Sequence, residues 1–488
     1  MFWANFLHFY QPPNQLADIL DRIVNESYRP IILGMQKNLN ARLSININAG
    51  LTELLHQNKY DDVINNLRKL AEDGKIEFIE SAKYHAFLPM LPEGEIVRQV
   101  KLNNETNRKF FGKVYNPKGF FSPEMAYHFK IAKIANGLGY KWMLADELAF
   151  NGKRNQADYS KIYTIEELDG FKIFFKDQNI SNLIVNAVVR SGRSLFNEIK
   201  NENKKNRYLL TAMDGETFGH HRPGLDKLLF DVFASPVFKK ILISQIPDYF
   251  PIGKTIKPIH SSWSSSEEDI KKNNPFKLWN QKNNPIHRLQ WKFTYFVINE
   301  VEKLNHNSAD YKRVRKKLDL ALHSCQFWWA SKFWWSLEII EQGAFNMRDT
   351  IFSIKSASEK TAQTAKNYYR DILDIAFSWQ RSGHIREFHK IQEEWQKKPF
   401  KERTHSEWYN QMILEFDAEM RKASKNQEYE KAIKWRDAII KLKSGADVYD
   451  VLHIVNELHN VRKIPSAKPF LQQKKFTKFA KKHFLPLD

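Results

Sequence analysis

Tyr208-Leu-Leu-Thr-Ala-Met-Asp214-Gly-Glu216-Thr-Phe-Gly-His220-His221 is the stretch on which the fold is decided. Its apolar run is the length of one buried strand, and it stops at Asp214, where glycine and polar residues begin a loop. Gly119-Phe-Phe-Ser-Pro-Glu124-Met-Ala-Tyr127 repeats the arrangement: a short apolar strand halts at Pro123 and leaves Glu124 at its C-terminal end. In barrel-like α/β sheets, catalytic groups collect at that end of the strands.

Outward from these two stretches, the first half alternates short apolar runs with helix-like segments: Ala41 to Asn48, Tyr60 to Asp73, Lys75 to Glu80, Glu93 to Phe111, Lys141 to Ala145 and Lys172 to Lys176. That rhythm predicts β/α units around a mainly parallel sheet. After about Pro275 strand signals fade, and amphipathic helices are expected over Pro285 to Lys303, Tyr311 to His323, Glu338 to Ser356 and Glu359 to Ser378. Phe416 to Leu442 reads as a helical hairpin around Asn426-Gln427. The expected division is a barrel over 1–274, a helical domain completing the active site over 275–410, a helical hairpin over 411–445 and a basic tail over 446–488.

Composition narrows the function classes. The 76 Lys+Arg against 56 Asp+Glu give +20, but the lysines are scattered, which is the pattern of a solvated surface, so no nucleic-acid partner is expected. No apolar run reaches bilayer length. The start, Met1-Phe-Trp-Ala-Asn-Phe-Leu, has no basic, apolar leader pattern, and a cytoplasmic chain is expected. Cys325 is the single cysteine, which excludes an intrachain disulfide and a cysteine-based zinc cage.

Two carboxylates at different strand ends can converge on one sugar, one attacking the anomeric carbon while the other protonates the leaving oxygen; a retaining geometry separates them by about 5–5.5 Å. The structural alternative is that Glu124 and Asp214 each cap the helix that follows. Polar groups at further strand ends, His8-Phe-Tyr10-Gln11-Pro12 and Gly74-Lys-Ile-Glu77-Phe-Ile-Glu80-Ser-Ala-Lys-Tyr84-His85, favour a shared site.

With Gln326-Phe-Trp-Trp329 added, these stretches form five ordered segments over most of residues 1 to about 360, and the set resembles glycoside hydrolase family 57. The resemblance implies an α/β fold, an incomplete (β/α)7 barrel followed by a helical domain. It implies Glu124 as nucleophile and Asp214 as general acid/base of a retaining enzyme acting on an α-glucan or maltooligosaccharide, with neither metal nor cofactor. The expected substrate-binding residues are His8, Tyr10, Gln11, Glu77, Glu216, His220, Gln326 and Trp328, joined by Trp263, which lies among serines in a polar loop. Tyr10 stands where many members carry a second histidine, and Cys325-Gln326 where several carry an aspartate.

Other readings compete. A 4-α-glucanotransferase or branching enzyme would use the same carboxylates with a sugar hydroxyl in place of water. Asp214 with His220 and His221 fits the ligand types of a metal-dependent polysaccharide deacetylase, although adjacent histidines seldom reach one ion. A non-catalytic binding module is the alternative of another class. Met420-Arg-Lys-Ala423, Tyr429-Glu-Lys-Ala432 and Trp435-Arg-Asp437-Ala-Ile439 resemble the UVR helical hairpin, which implies a protein partner or self-association through 411–445.

Overall fold

Alternate residues of the first strand face opposite ways, and this parity fixes what lies inside the sheet. The computed structural model describes residues 1–199, 206–331, 334–385 and 406–444, and its first strand, β1, runs over Phe2–Phe9. Ala4 and Phe6 join one buried apolar cluster, while Trp3, Leu7 and Phe9 join a second on the opposite face. The remaining strands among the described residues are β2 (Leu43–Ile47), β3 (Ile76–Phe78), β4 (Gly119–Phe120), β5 (Trp142–Asp146), β6 (Ile162–Ile165), β7 (Lys172–Lys176), β8 (Tyr208–Asp214), β9 (Lys239–Ile241) and β10 (Ile252–Ile256). Along β8, Leu210 and Ala212 enter the first cluster, and Leu209 and Met213 the second. His8 and Asp214 are register partners in the parallel β1/β8 pair and continue the first parity to the C-terminal ends.

Hydrogen bonding groups the strands as β3-β2-β1-β8, with β9 beside the start of β1, and as β10-β6-β7-β5-β4. Every pairing is parallel except β6 with β7. At one seam Glu80 N–H donates to Gly119 O (3.0 Å) and Phe121 N–H to Glu80 O (2.8 Å); at the other, Asp177 N–H donates to Leu210 O (2.8 Å). Across the interior the rings of Phe6 and Phe121 lie 4.8 Å apart. The parallel strands β1, β2, β3, β4, β5, β7 and β8 therefore follow one another around a common interior, an incomplete (β/α)7 barrel with thin seams. β6 and β10 stand outside that ring. The sequence reading passed over both: β6 is buried but only four residues long, and β10 is largely exposed, with Gly253 and Lys254 in place of an apolar run.

The expected helices form over Pro285–Glu302, Ala309–Ala321, Leu337–Phe352 and Glu359–Arg381. They share the first apolar cluster with the barrel, where Trp291 stacks on Phe327 at 4.0 Å. A buried ion network fixes the junction. Arg315 binds Glu95 of the barrel helix Glu93–Phe111, and also Glu302 (3.0 Å) and Asp319 (3.2 Å). Asp319 in turn receives Arg98 at 2.6 Å. Directly beyond, Ser324 N–H donates to His85 O at 3.0 Å, tying the helical region to the segment after β3.

The C-terminal helices Ser406–Lys425 and Tyr429–Ser444 pack on each other through Phe416 and Trp435 (5.1 Å), and the turn places Gln427 at φ 58°. The expected basic tail, 446–488, lies outside the described residues.

Removing one partner of a buried ion pair strands the other charge, which costs about 3–5 kcal/mol. Arg315, 1% exposed, serves three carboxylates. Arg315→Ala is expected to destabilise the protein by that amount in urea unfolding, whereas Arg98→Ala, with its side chain 33% exposed, should cost less.

Candidate active site

Glu124 is held in a conformation that a glutamate does not choose. Its backbone sits at φ 63°, ψ 17°, and Met125 follows at φ 48°. Left-handed non-glycine residues cost on the order of 1–3 kcal/mol each and persist where the surroundings over-determine them. Here the loop carrying Trp263 does so: Trp263 N–H donates to Glu124 O (3.3 Å), and Tyr127 N–H donates to Ser261 O (2.7 Å). The indole Nε1–H of Trp263 then donates to Glu124 Oε2 at 3.0 Å. The next helix, Phe129–Gly137, is capped by His128, and Asp214 makes no side-chain cap either, so neither carboxylate is a helix cap.

Burial pushes the Glu124 carboxyl up to about 8; the Asp214 charge adds to the rise and the Trp263 hydrogen bond opposes it. Burial also raises Asp214, but Lys176 pulls it back. Glu216 is raised by burial and then by Asp214, against hydrogen bonds from Tyr28 and Gln11. Gln11 Nε2 donates to Glu216 Oε1 at 2.9 Å, and the Tyr28 hydroxyl donates to the same oxygen. Glu124, Asp214 and Glu216 thus share one poorly solvated field in which charging one resists charging the next.

Aromatic and imidazole rings line this field. His8 lies 5.0 Å from His85 and 6.1 Å from Trp263, and Tyr10 stacks on His85 at 4.0 Å. His85 Nδ1 meets Ser324 Oγ at 2.8 Å and stands 3.9 Å from Glu124 Oε1. Burial lowers His8 to about 4 despite its bond to Asn46 (2.7 Å), and His85 falls well below the usual range through burial and then its histidine neighbours. Both are therefore neutral at pH 7. Their Nε2 atoms are buried and have no protein hydrogen-bond partner. The Tyr10 hydroxyl meets Cys325 Sγ at 3.3 Å, and burial pushes that thiol up to about 12, so it stays protonated.

Of the residues expected from sequence, Glu124, Asp214, Glu216, His8, Tyr10, Gln11 and Trp263 come together. The others go elsewhere. Glu77 pairs in register with Ser44, toward the start of β2, accepts from Ser44 Oγ (2.5 Å) and Ser244 N–H (3.1 Å), and serves the sheet. Gln326 is buried and spends its amide on Ala321 O (2.7 Å) at the end of a helix. His220 pairs with Glu26 at 2.6 Å. Among the described residues no group of three or more His, Cys, Asp or Glu is arranged to hold a metal ion. Trp328, half-buried, packs edge-on against Trp279 (5.7 Å) and Trp334 (5.8 Å).

Sequence reasoning placed His85 among the strand-end polar groups without giving it a role, and left out Lys176 and the acids Asp146 and Glu147 at the end of β5. Lys176 ends β7, is 5% exposed, stands 3.8 Å from Asp146, and places its ammonium 5.7 Å from the Trp263 ring centroid. The same signal that flagged Asp214, an apolar run ending in a charge, was present in Lys172-Ile-Phe-Phe-Lys176 and in Trp142-Met-Leu-Ala-Asp146.

Comparison with known proteins gives this geometry a family. Residues 5–235 match the model of Glycosyl hydrolase family 57, and residues 410–445 match the UvrB/uvrC motif. An alpha-amylase of Pyrococcus horikoshii is 23% identical over 227 residues, 46% of this chain and 35% of its own length. A 4-alpha-glucanotransferase of Thermococcus litoralis is 22% identical over 275 residues, 54% of this chain and 41% of its own. The matched part is thus less than half the length of those relatives. The crystal structure of the Thermococcus litoralis 4-alpha-glucanotransferase superposes with a TM-score of 0.58 at 17% identity, covering 72% of this chain and 60% of that one. A GH57 branching enzyme from Thermococcus kodakaraensis superposes with 0.59 at 15% identity, covering 76% and 95%. The barrel strands that carry both carboxylates lie inside the matched span, and so residues 5–235 form a glycosyl hydrolase family 57 domain, with a UvrB/uvrC motif at residues 410–445.

Proposed function

We propose that the protein is a retaining glycoside hydrolase acting on α-glucans through a covalent glycosyl-enzyme. The observation that carries this reading is the pair Glu124 and Asp214: a buried carboxyl just beyond β4 and a half-buried one at the end of β8, close enough for the charge on Asp214 to raise Glu124. Glu124 forms a bond to the anomeric carbon while the glycosidic C–O bond breaks and Asp214 gives its proton to the departing oxygen. Asp214, now a carboxylate, takes a proton from water as the water oxygen displaces Glu124. Residues 275–385 complete the site by supplying Ser324 behind His85 and Cys325 beside Tyr10. Burial raises both carboxyls; positive charge developing at the anomeric carbon beside Glu124, and negative charge on the oxygen leaving toward Asp214, favour the ionised nucleophile and the protonated acid. An acceptor sugar hydroxyl in place of water gives transglycosylation, a second reading that the glucanotransferase and branching-enzyme relatives favour.

Glu124→Ala is expected to abolish both reducing-sugar release from soluble starch and disproportionation of maltooligosaccharides. Asp214→Ala should lower kcat/KM by about 10²–10⁴-fold. Near-wild-type activity in Glu124→Ala would overturn the assignment.

The pair titrates as a unit, so kcat/KM should be bell-shaped, with its alkaline limb near pH 8 where Glu124 and its partner lose their last proton. Stability follows the same group. A carboxyl raised in the folded state holds its proton there more tightly than in the unfolded chain, so its contribution is complete below the unfolded value and is lost as pH rises through the folded one. Glu124→Gln should therefore gain Tm over wild type as pH is raised from about 4 to about 8, and a Tm difference independent of pH would contradict the raised carboxyl.

A further inference from the structure

Three successive residues of a helix rarely meet one partner, because neighbouring α-helical side chains diverge by about 100°. Glu26, Ser27 and Tyr28 do so. Ala17–Ile23, Val24–Tyr28 and Arg29–Lys37 form one uninterrupted rod, right-handed helical at Ile23, Val24, Tyr28 and Arg29, and its middle segment is a π turn. The wider i→i+5 bonding of that turn rotates each residue less from the next, and single π turns inside α-helices are frequent at functional sites. All three residues meet the loop that follows Asp214. Ser27 Oγ donates to Gly215 O at 2.9 Å, the Tyr28 hydroxyl donates to Glu216 Oε1, and the Glu26 carboxylate meets His220 Nδ1 at 2.6 Å. The backbones close as tightly. A Cβ on Gly219, which stands at φ 116°, would run into Glu26 O, and one on Gly215 would run into the Phe9 ring, on which Tyr28 stacks at 4.6 Å. Gln11, itself held by Gln15 at 2.7 Å, donates to the same oxygen of Glu216 as Tyr28 does. Pairing with β1 fixes the chain up to Asp214, and the π turn fixes the residues directly after it.

We propose that Ser27 and Tyr28 are positioning residues for the general acid/base: through Gly215 and Glu216 they set where the Asp214 carboxyl stands relative to the glycosidic oxygen. The inference rests on the role given to Asp214 above. Both residues are fully buried, so they act through the loop and not on the sugar. β8 ends at Asp214 and the turn Gly215–Thr217 begins at the next residue, so a displacement of Gly215 or Glu216 is passed directly to Asp214. Glu124 is held separately, by Trp263 from the loop beyond β10. Loosening the π turn therefore impairs proton delivery to the leaving oxygen and leaves the nucleophile in place. Tyr28→Phe is the sparing probe, because it keeps the ring on Phe9 and removes only the donor to Glu216.

Two substrates separate the two carboxyls. Fluoride departs from α-maltosyl fluoride with little help from an acid, whereas the sugar oxygen leaving from maltotetraose must be protonated, and kcat/KM reports the step in which Glu124 attacks. A catalytic group misplaced by about 1 Å can cost roughly 100-fold. Tyr28→Phe should lower kcat/KM for maltotetraose about tenfold and leave that for α-maltosyl fluoride within about twofold of wild type. Ser27→Ala, which removes the other hydroxyl, should move the ratio of the two in the same direction. Equal losses on both substrates would reduce Tyr28 to a packing residue and overturn the inference. Independently of any sugar chemistry, amide hydrogen exchange should quicken about tenfold over residues 215–221 in Tyr28→Phe while β1 and β8 keep their protection. Unchanged exchange in that loop would also overturn it. If Tyr28→Phe fails to fold, Ser27→Ala carries both measurements. Failure of the wild type to turn over either sugar would overturn the glucan reading, leaving hydrogen exchange to decide whether the π turn holds the Asp214 loop.

Discussion

The hydrogen bond from the Trp263 indole to the Glu124 carboxylate connects a loop beyond β10 to the end of β4, and the site's geometry depends on it. Among the described residues it is the hydrogen bond to that carboxylate, and the backbone bonds of the same loop hold the two left-handed residues beneath it. The backbone bonds of Trp263 and Ser261 set the loop, the indole sets the carboxylate, and the carboxylate lies beside His85. Trp263 therefore spends its polar edge on the protein. What it can offer a sugar is its ring face, and that face already carries Lys176 at 5.7 Å.

Collecting buried carboxyls in one place is unfavourable, and the fold offsets it in two ways. Protons are retained: burial raises Glu124, Asp214 and Glu216, so their full charge is not developed at neutral pH. Neutral donors do the rest. Gln11 and Tyr28 hold Glu216, Trp263 holds Glu124, and His8 and His85 stay uncharged. A set of neutral donors around partly protonated acids costs far less than a set of ion pairs and leaves the protons free to move. Elsewhere the molecule takes the opposite course. Arg315, with Glu95, Glu302 and Asp319, uses full charges at the junction of barrel and helices, where no proton has to move.

The parts legible in the sequence were those with a local signature. An apolar run that stops at an acid marks a strand end, and Glu124 and Asp214 lie at two of them. Helical periodicity beyond Pro275 was equally plain, because one face of each helix is buried in a shared core. What failed was depth along a strand. Glu77 and Glu80 both follow the same apolar pattern, but Glu77 sits in mid-strand at Ser44, and Glu80 disappears into Asn103, Asn104, Tyr115 and Tyr140. Neither fate can be read from spacing, since each is decided by residues far away in the chain. The same holds for Gln326, whose amide is consumed by a helix end, and for His85, which matters only because Ser324 arrives beside it. Lys176 was missed for a different reason. A lysine ending a strand ordinarily points to water, and only the acids that close around it make this one informative.

The helical region enters the site through few atoms, and their chemistry constrains what the site can be. Ser324 fixes His85 by both its backbone and its hydroxyl, and the next residue, Cys325, touches Tyr10. Tyr10 and Cys325 meet across a single 3.3 Å contact. A tyrosine facing a thiol, both kept protonated by burial, places no charge there. The helical region therefore closes this side of the site without adding a charge to the field of Glu124.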